Sequence, residues 1–91
     1  MEEVQLFIFE NGLTLISEYR EIISSDMGDP DIILVNPFRV DMDLGQVINL
    51  YKYPESKYTD ATQMKVHRDK ILTIVKPNED LIKKYKNEVL H

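Results

Sequence analysis

The sequence predicts a mainly β fold, in which a small, strongly bent five-stranded β-barrel is followed by a C-terminal α-helix. Short stretches of alternating apolar and polar residues, separated by compact turns, fill the first three quarters of the chain. After Pro77 the apolar spacing changes to that of an amphipathic helix. Ninety-one residues make one domain with a thin core. We therefore expect a single domain over 1–91, with the barrel at about 3–76 and the helix at about 78–90.

The chain opens with a β-hairpin signal. An apolar run at 4–9 is followed by Asn11-Gly12 and by a second apolar run at 13–23. Asn-Gly between two such runs favours a hairpin, because both residues tolerate the positive φ of a type I′ turn. Ile16 breaks the strict alternation of the second strand, which indicates a bend or burial on both faces.

The next two strands are separated from the hairpin by a dense turn cluster at 24–30, rich in Ser, Asp, Gly and Pro. The third strand is expected at 31–42. Pro37 lies within it and cannot donate to a ladder, so it marks an edge or a bulge. A fourth strand is expected at 46–53, followed by a polar loop at 54–62.

The strand pattern returns at 64–66, and a polar turn at 67–70 leads to a final strand at 71–75. Asn78 is a candidate N-cap, because its side chain can accept a hydrogen bond from the first turn of a helix. The helix after it has a single apolar stripe, formed by Leu81, Ile82, Tyr85 and Val89.

The net charge is −5, but its distribution is uneven. Residues 1–45 hold ten acids and two bases, whereas residues 46–91 hold six acids and nine bases. A negative balance argues against unspecific polyanion binding, because Lys and Arg provide most of that affinity. Two interpretations stay open. In the first, the strands expose acids and the helix exposes Lys83, Lys84 and Lys86. In the second, opposite charges meet between neighbouring copies or leave one face locally basic.

The chain has no cysteine. Neither disulfides nor Cys-based zinc sites can stabilise its thin core, so oligomerisation is a natural way to bury more apolar surface. The apolar runs are too short to span a bilayer, and no signal peptide precedes them. We expect a cytoplasmic protein with no membrane partner.

The sequence suggests neither a metal site nor a catalytic site. Asp26, Asp29 and Asp31 do not match the alternating carboxylates of an EF-hand. His67 and His91 lie far apart and no cysteine supports them. There is no Gly-rich phosphate loop, nucleophile elbow or triad pattern. We therefore expect a non-enzymatic protein without cofactors.

Two separated parts of the chain resemble the two sequence motifs of the Sm-like (LSm) family. The Asn-Gly turn and strand at 11–17 resemble the start of the first motif, and the Asp-Pro-Asp turn and apolar strand at 29–36 resemble its continuation. The apolar residue, basic turn and Ile-rich strand at 66–74 look like the second motif. The order and spacing of the two halves carry the resemblance.

This resemblance implies an SH3-like barrel whose fourth and fifth strands pair with neighbouring copies and close a homo-oligomeric ring of about five to seven copies. Family members bind single-stranded RNA, often U-rich or A-rich, at the central pore. Small members also occur in phage and marine microbial genomes. The RNA-binding residues that the resemblance implies are Asp29, Asp31, His67 and Arg68.

The chain departs from the family pattern at several positions. Ser17 stands where the family usually has glycine, and Asp31 where it has asparagine. An ionised Asp31 accepts but cannot donate hydrogen bonds, which weakens inherited base recognition. Two alignments of the basic turn stay open, with either His67 or Arg68 on the family's arginine. Arg68 either contacts RNA or pairs with Asp69 or another nearby acid.

Aromatic and basic residues interleave in the fourth strand and the loop after it. Tyr51, Tyr53 and Tyr58, with Lys52 and Lys57 between them, are candidates for a lateral platform on which bases stack. The alternative is that Tyr51 and Tyr53 pack against a neighbouring subunit or the helix.

Three hypotheses about function follow. The first is an Sm-like ring that binds single-stranded RNA at its pore. The second is the same ring acting as a structural or protein-interaction module without RNA. The third is an unrelated SH3-like barrel that binds a peptide.

Overall fold

The structure, a computed structural model, describes residues 3–22, 31–43 and 47–90. These residues confirm the mainly β prediction with a C-terminal helix. Within them there are six strands rather than five, because the stretch after the polar loop forms a strand of its own. The elements are β1 (Val4–Phe9), β2 (Thr14–Glu21), β3 (Ile32–Asp43), β4 (Val47–Lys52), β5 (Gln63–Val66), a 3-10 turn (Arg68–Lys70), β6 (Ile71–Val75) and α1 (Glu79–Val89).

The hairpin between β1 and β2 forms as predicted, but its turn differs from type I′. Gly12 has a φ of 88°, while Asn36 is the only non-glycine residue with a positive φ in the described ranges. A type I′ turn needs positive φ at both central residues. Asn11 acts through its side chain instead, since its Oδ1 accepts a hydrogen bond from the backbone N–H of Leu13 at 3.0 Å.

The strands form one antiparallel sheet with the order β4-β3-β2-β1-β6. β5 lies off this path and pairs with the first half of β3, from Ile32 to Val35. β4 pairs with the second half, from Phe38 to Asp43. In the described residues no ladder joins β5 to β6, so hydrogen bonding does not close the sheet into a barrel. β4 and β6 are the two ends of the path.

The break between the two halves of β3 lies at Asn36 and Pro37. Asn36 has a φ of 52°, and the β2–β3 register shifts at this point. The N–H of Asn36 turns away to the carbonyl of Thr62 at 2.7 Å, and the carbonyl of Pro37 accepts from the N–H of Tyr53 at 3.0 Å. The irregularity predicted from Pro37 is therefore confirmed, and it lets one strand serve two partners.

Both faces of the sheet are covered, each by its own apolar cluster. Neighbouring residues of a strand point to opposite faces, so Leu15 and Ile16 belong to different clusters and the broken alternation at Ile16 reflects burial on both faces. The buried members of the first cluster are Phe7, Leu15, Ile32, Leu34 and Val66. The second cluster, between the sheet and α1, has Val4, Ile16, Leu81 and Tyr85.

Helix α1 begins at the predicted cap. The side chain of Asn78 accepts a hydrogen bond from the N–H of Leu81 at 2.9 Å. The helix is attached to the sheet by Tyr85, whose hydroxyl accepts from the N–H of Glu18 at 3.3 Å and donates towards the carbonyls of Val35 and Asn36 at 3.1 and 2.8 Å. Tyr85 thus supplies polar partners where the β2–β3 ladder is irregular.

Across the described residues, no helix combines the length and the hydrophobicity needed to cross a membrane.

Candidate functional site

The turn between β5 and β6 is tied to the start of β3 by Asp31. The backbone N–H of Arg68 donates to Oδ1 of Asp31 at 2.7 Å, and Nε of Arg68 donates to Oδ2 at 3.4 Å. The N–H of Asp31 donates in turn to the carbonyl of Val66 at 3.2 Å. The structure therefore brings together two of the residues singled out in the sequence, from the two separate motifs.

The charge state of Asp31 follows from these contacts. The hydrogen bond from the backbone N–H of Arg68 is the main cause that lowers the pKa of Asp31 below its ordinary value, and the Arg68 side chain lowers it further. Desolvation acts in the opposite direction and is outweighed. Asp31 is therefore a carboxylate that only accepts hydrogen bonds, and it neutralises much of the positive charge of the turn.

Glu21, at the end of β2, is a second acid beside Arg68. Its Oε1 lies 3.5 Å from an Nη of Arg68. Arg68 pairs with two acids, Asp31 and Glu21. Glu21 was missed in the sequence, although it pairs with Ile32, the neighbour of Asp31, in the β2–β3 ladder. The Arg68 side chain is still 52% exposed.

The other two predicted pore residues are placed differently. His67 is half-buried and precedes the 3-10 turn, where its carbonyl accepts a hydrogen bond from the N–H of Lys70 at 3.1 Å. Its side chain makes no capping hydrogen bond. Asp29 lies outside the described residues. Among the residues described, no three His, Asp or Glu side chains gather where they could hold a metal ion.

The two edge strands differ in exposure. Nearly all of β6 is exposed, including Leu72, Ile74 and Val75, and Leu72 has 66% of its surface in contact with solvent. Leu72 also has no direct partner in β1, because the β1–β6 register shifts beside it. β4 is less exposed, because Ile48 and Leu50 pack on the second cluster. Each strand pairs on one side only within the described sheet.

The three tyrosines of the predicted lateral platform do not act alike. Tyr53 is half-buried and packs on the first cluster, which includes neither the helix nor a neighbouring subunit. Tyr51 is 46% exposed and lies under the guanidinium of Arg39, whose Cζ is 5.0 Å from the ring centroid. Tyr58 is 74% exposed, and Nζ of Lys57 lies 5.2 Å from its ring centroid.

A cleft of about 310 Å³ opens beside Tyr51 and Tyr53. Two cations contribute to its wall, Arg39 and Lys52. Arg39 was not singled out in the sequence; it lies directly opposite Tyr51 in the β3–β4 register. The cleft lies on the second half of β3, and the Arg68 turn lies at the start of the first half.

The fold and these surfaces define a class, a small mainly β domain with a C-terminal helix, edge strands β4, β5 and β6 that each pair on one side only within the described residues, and a cationic, aromatic cleft. Within that class the chain belongs to a family of unknown function, DUF6561, whose model matches residues 2–90. No curated protein matches the chain.

Proposed function

We propose that this chain is an Sm-like small barrel that assembles head to tail into a homo-oligomeric ring, with β6 of one copy paired to β4 of the next. The sheet ends in these two strands. An unpaired edge invites pairing with another chain, and cyclic closure through β4 and β6 covers these two edges in every copy.

The observation that carries this proposal is the exposure of β6. Leu72, Ile74 and Val75 lie on a strand with one ladder within the described sheet. Burying exposed aliphatic side chains on association removes apolar surface from water, and the free edge supplies backbone hydrogen bonds in register. β4 offers a suitable counterpart, with β-branched and aromatic residues along an edge of similar length.

The Sm-like part of the proposal is supported by the meeting of the two motifs. Asp31 comes from the first motif and Arg68 from the second, and they are joined at 2.7 and 3.4 Å. A short 3-10 turn leads from β5 into β6, and β6 pairs with β1. Chain order, turn and pairing are those expected of a small barrel that curls back on its first strand.

The role we favour for the ring is that of a structural or protein-interaction module. The cation expected at the pore, Arg68, faces Asp31 and Glu21. Two carboxylates at one guanidinium leave little net positive charge to attract a phosphate backbone. In a ring, each copy would contribute Arg68 together with its two acids, so the pore would not be strongly basic.

Single-stranded RNA binding at the pore is the second candidate, and one observation favours it. The side chain of Arg68 keeps 52% of its surface exposed, while its Nε donates to Oδ2 of Asp31 at 3.4 Å. A held guanidinium can stack on a base or contact a phosphate at low entropic cost. His67, next to it in the chain, adds an aromatic ring.

Light scattering coupled to size exclusion tests the assembly. We expect a mass of about five to seven chains at micromolar concentration, and a wild-type monomer would overturn the proposal. Leu72→Lys places a charge on the exposed edge, and we expect it to yield monomers. Leu90→Lys is the matched control, because Leu90 is 83% exposed at the end of α1, and it should leave the ring intact.

Filter binding with U-rich and A-rich oligonucleotides over a salt series separates the two roles. RNA binding requires a saturable complex that weakens with salt and with Arg68→Ala, but not with Lys65→Ala on the exposed face of β5. Absence of any complex at low salt rejects the RNA candidate and leaves the ring proposal untouched.

A further inference from the structure

The turn between β1 and β2 carries the pair Asn11-Gly12, and both residues are exposed. Asparagine is a thermolabile residue, because the backbone nitrogen of the next residue can attack its side-chain amide carbon. Glycine hinders this attack least, since it has no Cβ. Apart from its two neighbours in the chain, no residue has an atom within 4 Å of the place where a Cβ on Gly12 would lie. The space around the reacting groups is therefore open.

A hydrogen bond of the turn polarises the amide that would be attacked. Oδ1 of Asn11 accepts from the backbone N–H of Leu13 at 3.0 Å. Attack at Cγ moves negative charge onto this oxygen, and a donor that is already aimed at it stabilises the charge as it forms. The contact that shapes the turn therefore also favours addition to the Asn11 side chain.

The same turn restrains the attacking nitrogen. The backbone N–H of Gly12 donates to the carbonyl of Phe9 at 2.9 Å. This nitrogen becomes a nucleophile only when it loses its proton, so its bond to Phe9 has to open first. Exposed turns open locally at a much lower free-energy cost than the whole domain. Opening of the turn, rather than unfolding of the sheet, is therefore the step that limits the reaction.

Water, the other reactant, has access to the turn. A cleft of about 190 Å³ beside it is lined by Phe9, Glu10, Asn11 and Lys70. Glu10, Asn11 and Lys70 are exposed. The ammonium of Lys70 in the cleft wall favours a carboxylate as the product, because a nearby positive charge stabilises the ionised form.

The other asparagines of the chain lack this combination. Asn36 precedes Pro37, whose nitrogen has no proton to lose. The rest precede residues with large side chains and lie in regular structure or at its cap, namely Asn49 in β4, Asn78 at the cap of α1 and Asn87 in α1. Sequence and fold together single out Asn11.

From these features we infer that Asn11 is a site of spontaneous deamidation. The nitrogen of Gly12 bonds to Cγ of Asn11, the bond from Cγ to the side-chain nitrogen breaks, and the proton lost by Gly12 passes through water to the departing group, which leaves as ammonia. Water then opens the cyclic imide at one of its two carbonyls and yields aspartate or isoaspartate. No oxidant or reductant takes part. Neither the ring nor RNA binding is needed for this chemistry.

The two products affect the hairpin differently. Aspartate keeps a side-chain oxygen that accepts from the N–H of Leu13, so the turn is retained. Isoaspartate runs the main chain through Cβ and Cγ of residue 11 and lengthens it by one CH2 group. The Phe9–Gly12 bond and the Phe9–Leu13 bond, both 2.9 Å long, then no longer fit the same turn. We expect the isoaspartyl chain to lose the end of the hairpin and the aspartyl chain to keep it.

Peptide mapping by mass spectrometry, after incubation of the full chain in warm, mildly alkaline buffer, tests the inference directly. We expect deamidation in the peptide that contains residue 11, with isoaspartate detected by an isoaspartate-specific methyltransferase. Asn11→Gln should abolish the methyltransferase label, because glutamine would have to form a larger ring. Asn87→Gln, at an exposed position of α1, is the matched control and should leave the label unchanged. An intact Asn11, or deamidation mainly at another asparagine, would overturn the inference.

The same incubation in urea tests the control by the turn. Urea abolishes the bond from Gly12 to Phe9, so deamidation at Asn11 should be about tenfold faster in the unfolded chain than in the folded one. Equal rates would overturn the restraint assigned to the turn. Tyr85→Phe weakens the attachment of α1 and should leave the rate of the folded chain unchanged. A rate that rises with the unfolded fraction of this variant would overturn local opening as the limiting step.

Discussion

The two halves of β3 both pair with β2, but they differ in burial and in the partners of their charged residues. The first half pairs with β2 and β5, buries Ile32 and Leu34, and directly follows Asp31, which pairs with Arg68. The second half pairs with β2 and β4, and Phe38, Arg39 and Val40 in it are only half-buried. In the first half an ion pair joins distant parts of the chain, whereas in the second Arg39 pairs with Asp41, two positions away on the same strand.

The largest expected effect is the difference in free energy of unfolding lost when one apolar residue is truncated in each half. Leu34→Ala should lower the free energy of unfolding by about 3 kcal/mol, because Leu34 is fully buried and its truncation leaves a cavity. Val40→Ala, in the half-buried second part, should cost only about 1 kcal/mol. Urea unfolding followed by circular dichroism, at matched protein concentration, measures both. Equal costs would contradict the contrast between the halves.

The junction between the halves comes next in size. Tyr85→Phe removes the hydroxyl that contacts Glu18, Val35 and Asn36, so buried backbone groups lose a polar partner. We expect a loss of about 1–3 kcal/mol in the free energy of unfolding. Tyr58→Phe removes an exposed hydroxyl and should stay within about 0.5 kcal/mol of wild type. A neutral Tyr85→Phe would mean that α1 is attached by its apolar stripe alone.

A smaller effect appears as a pH dependence of the first half. The pKa of Asp31 is lower in the folded protein than its ordinary value of 3.8. Its stabilising contribution is therefore fully present above that value and is lost as the pH falls through the lowered folded pKa. Melting temperatures of wild type and Asp31→Asn should differ at neutral pH and converge in acid.

Asp69→Asn is the control for this pH series, because it changes an acid in the same turn that is not a partner in the Arg68 ion pairs. It should follow the wild-type profile down to acid pH. An NMR titration of the Asp31 carboxyl carbon gives the folded pKa directly. A value at or above 3.8 would contradict the role assigned to the Arg68 backbone N–H.

The smallest effect belongs to the second half. Asp41→Asn breaks an ion pair with Arg39 in which Asp41 is largely exposed, so the free energy of unfolding should change by no more than about 0.5 kcal/mol. Chemical denaturation checks the effect. A large loss of stability would make Arg39 a structural residue.

Local features of this fold could be predicted because they depend on neighbouring residues. Asn11-Gly12 marks the hairpin, Pro37 marks the irregularity in β3, and Asn78 marks the start of α1. Each acts through its own backbone or through groups within a few positions. The conformation of the first turn was the exception, since the Asn11 side chain replaced the expected backbone geometry.

The candidate sites could be predicted only in part, because they join positions far apart in the chain. The motif order brought Asp31 and Arg68 to attention, but Glu21 joins them through the β2–β3 register. Lys52 is held by hydrogen bonds to the carbonyls of Pro54 and Ala61. Backbone carbonyls occur at every residue, so no side-chain pattern in the sequence distinguishes the two that hold this lysine.

The position of α1 in chain order has a consequence for biosynthesis. A ribosome makes all six strands before residues 79–89, so the sheet face with Val4, Ile16 and Phe38 leaves the exit tunnel before its cover exists. Transiently exposed apolar surface of this kind is what chaperones recognise. Chains interrupted before Tyr85 lack a buried member of the second cluster, so we expect that face to stay partly uncovered in them.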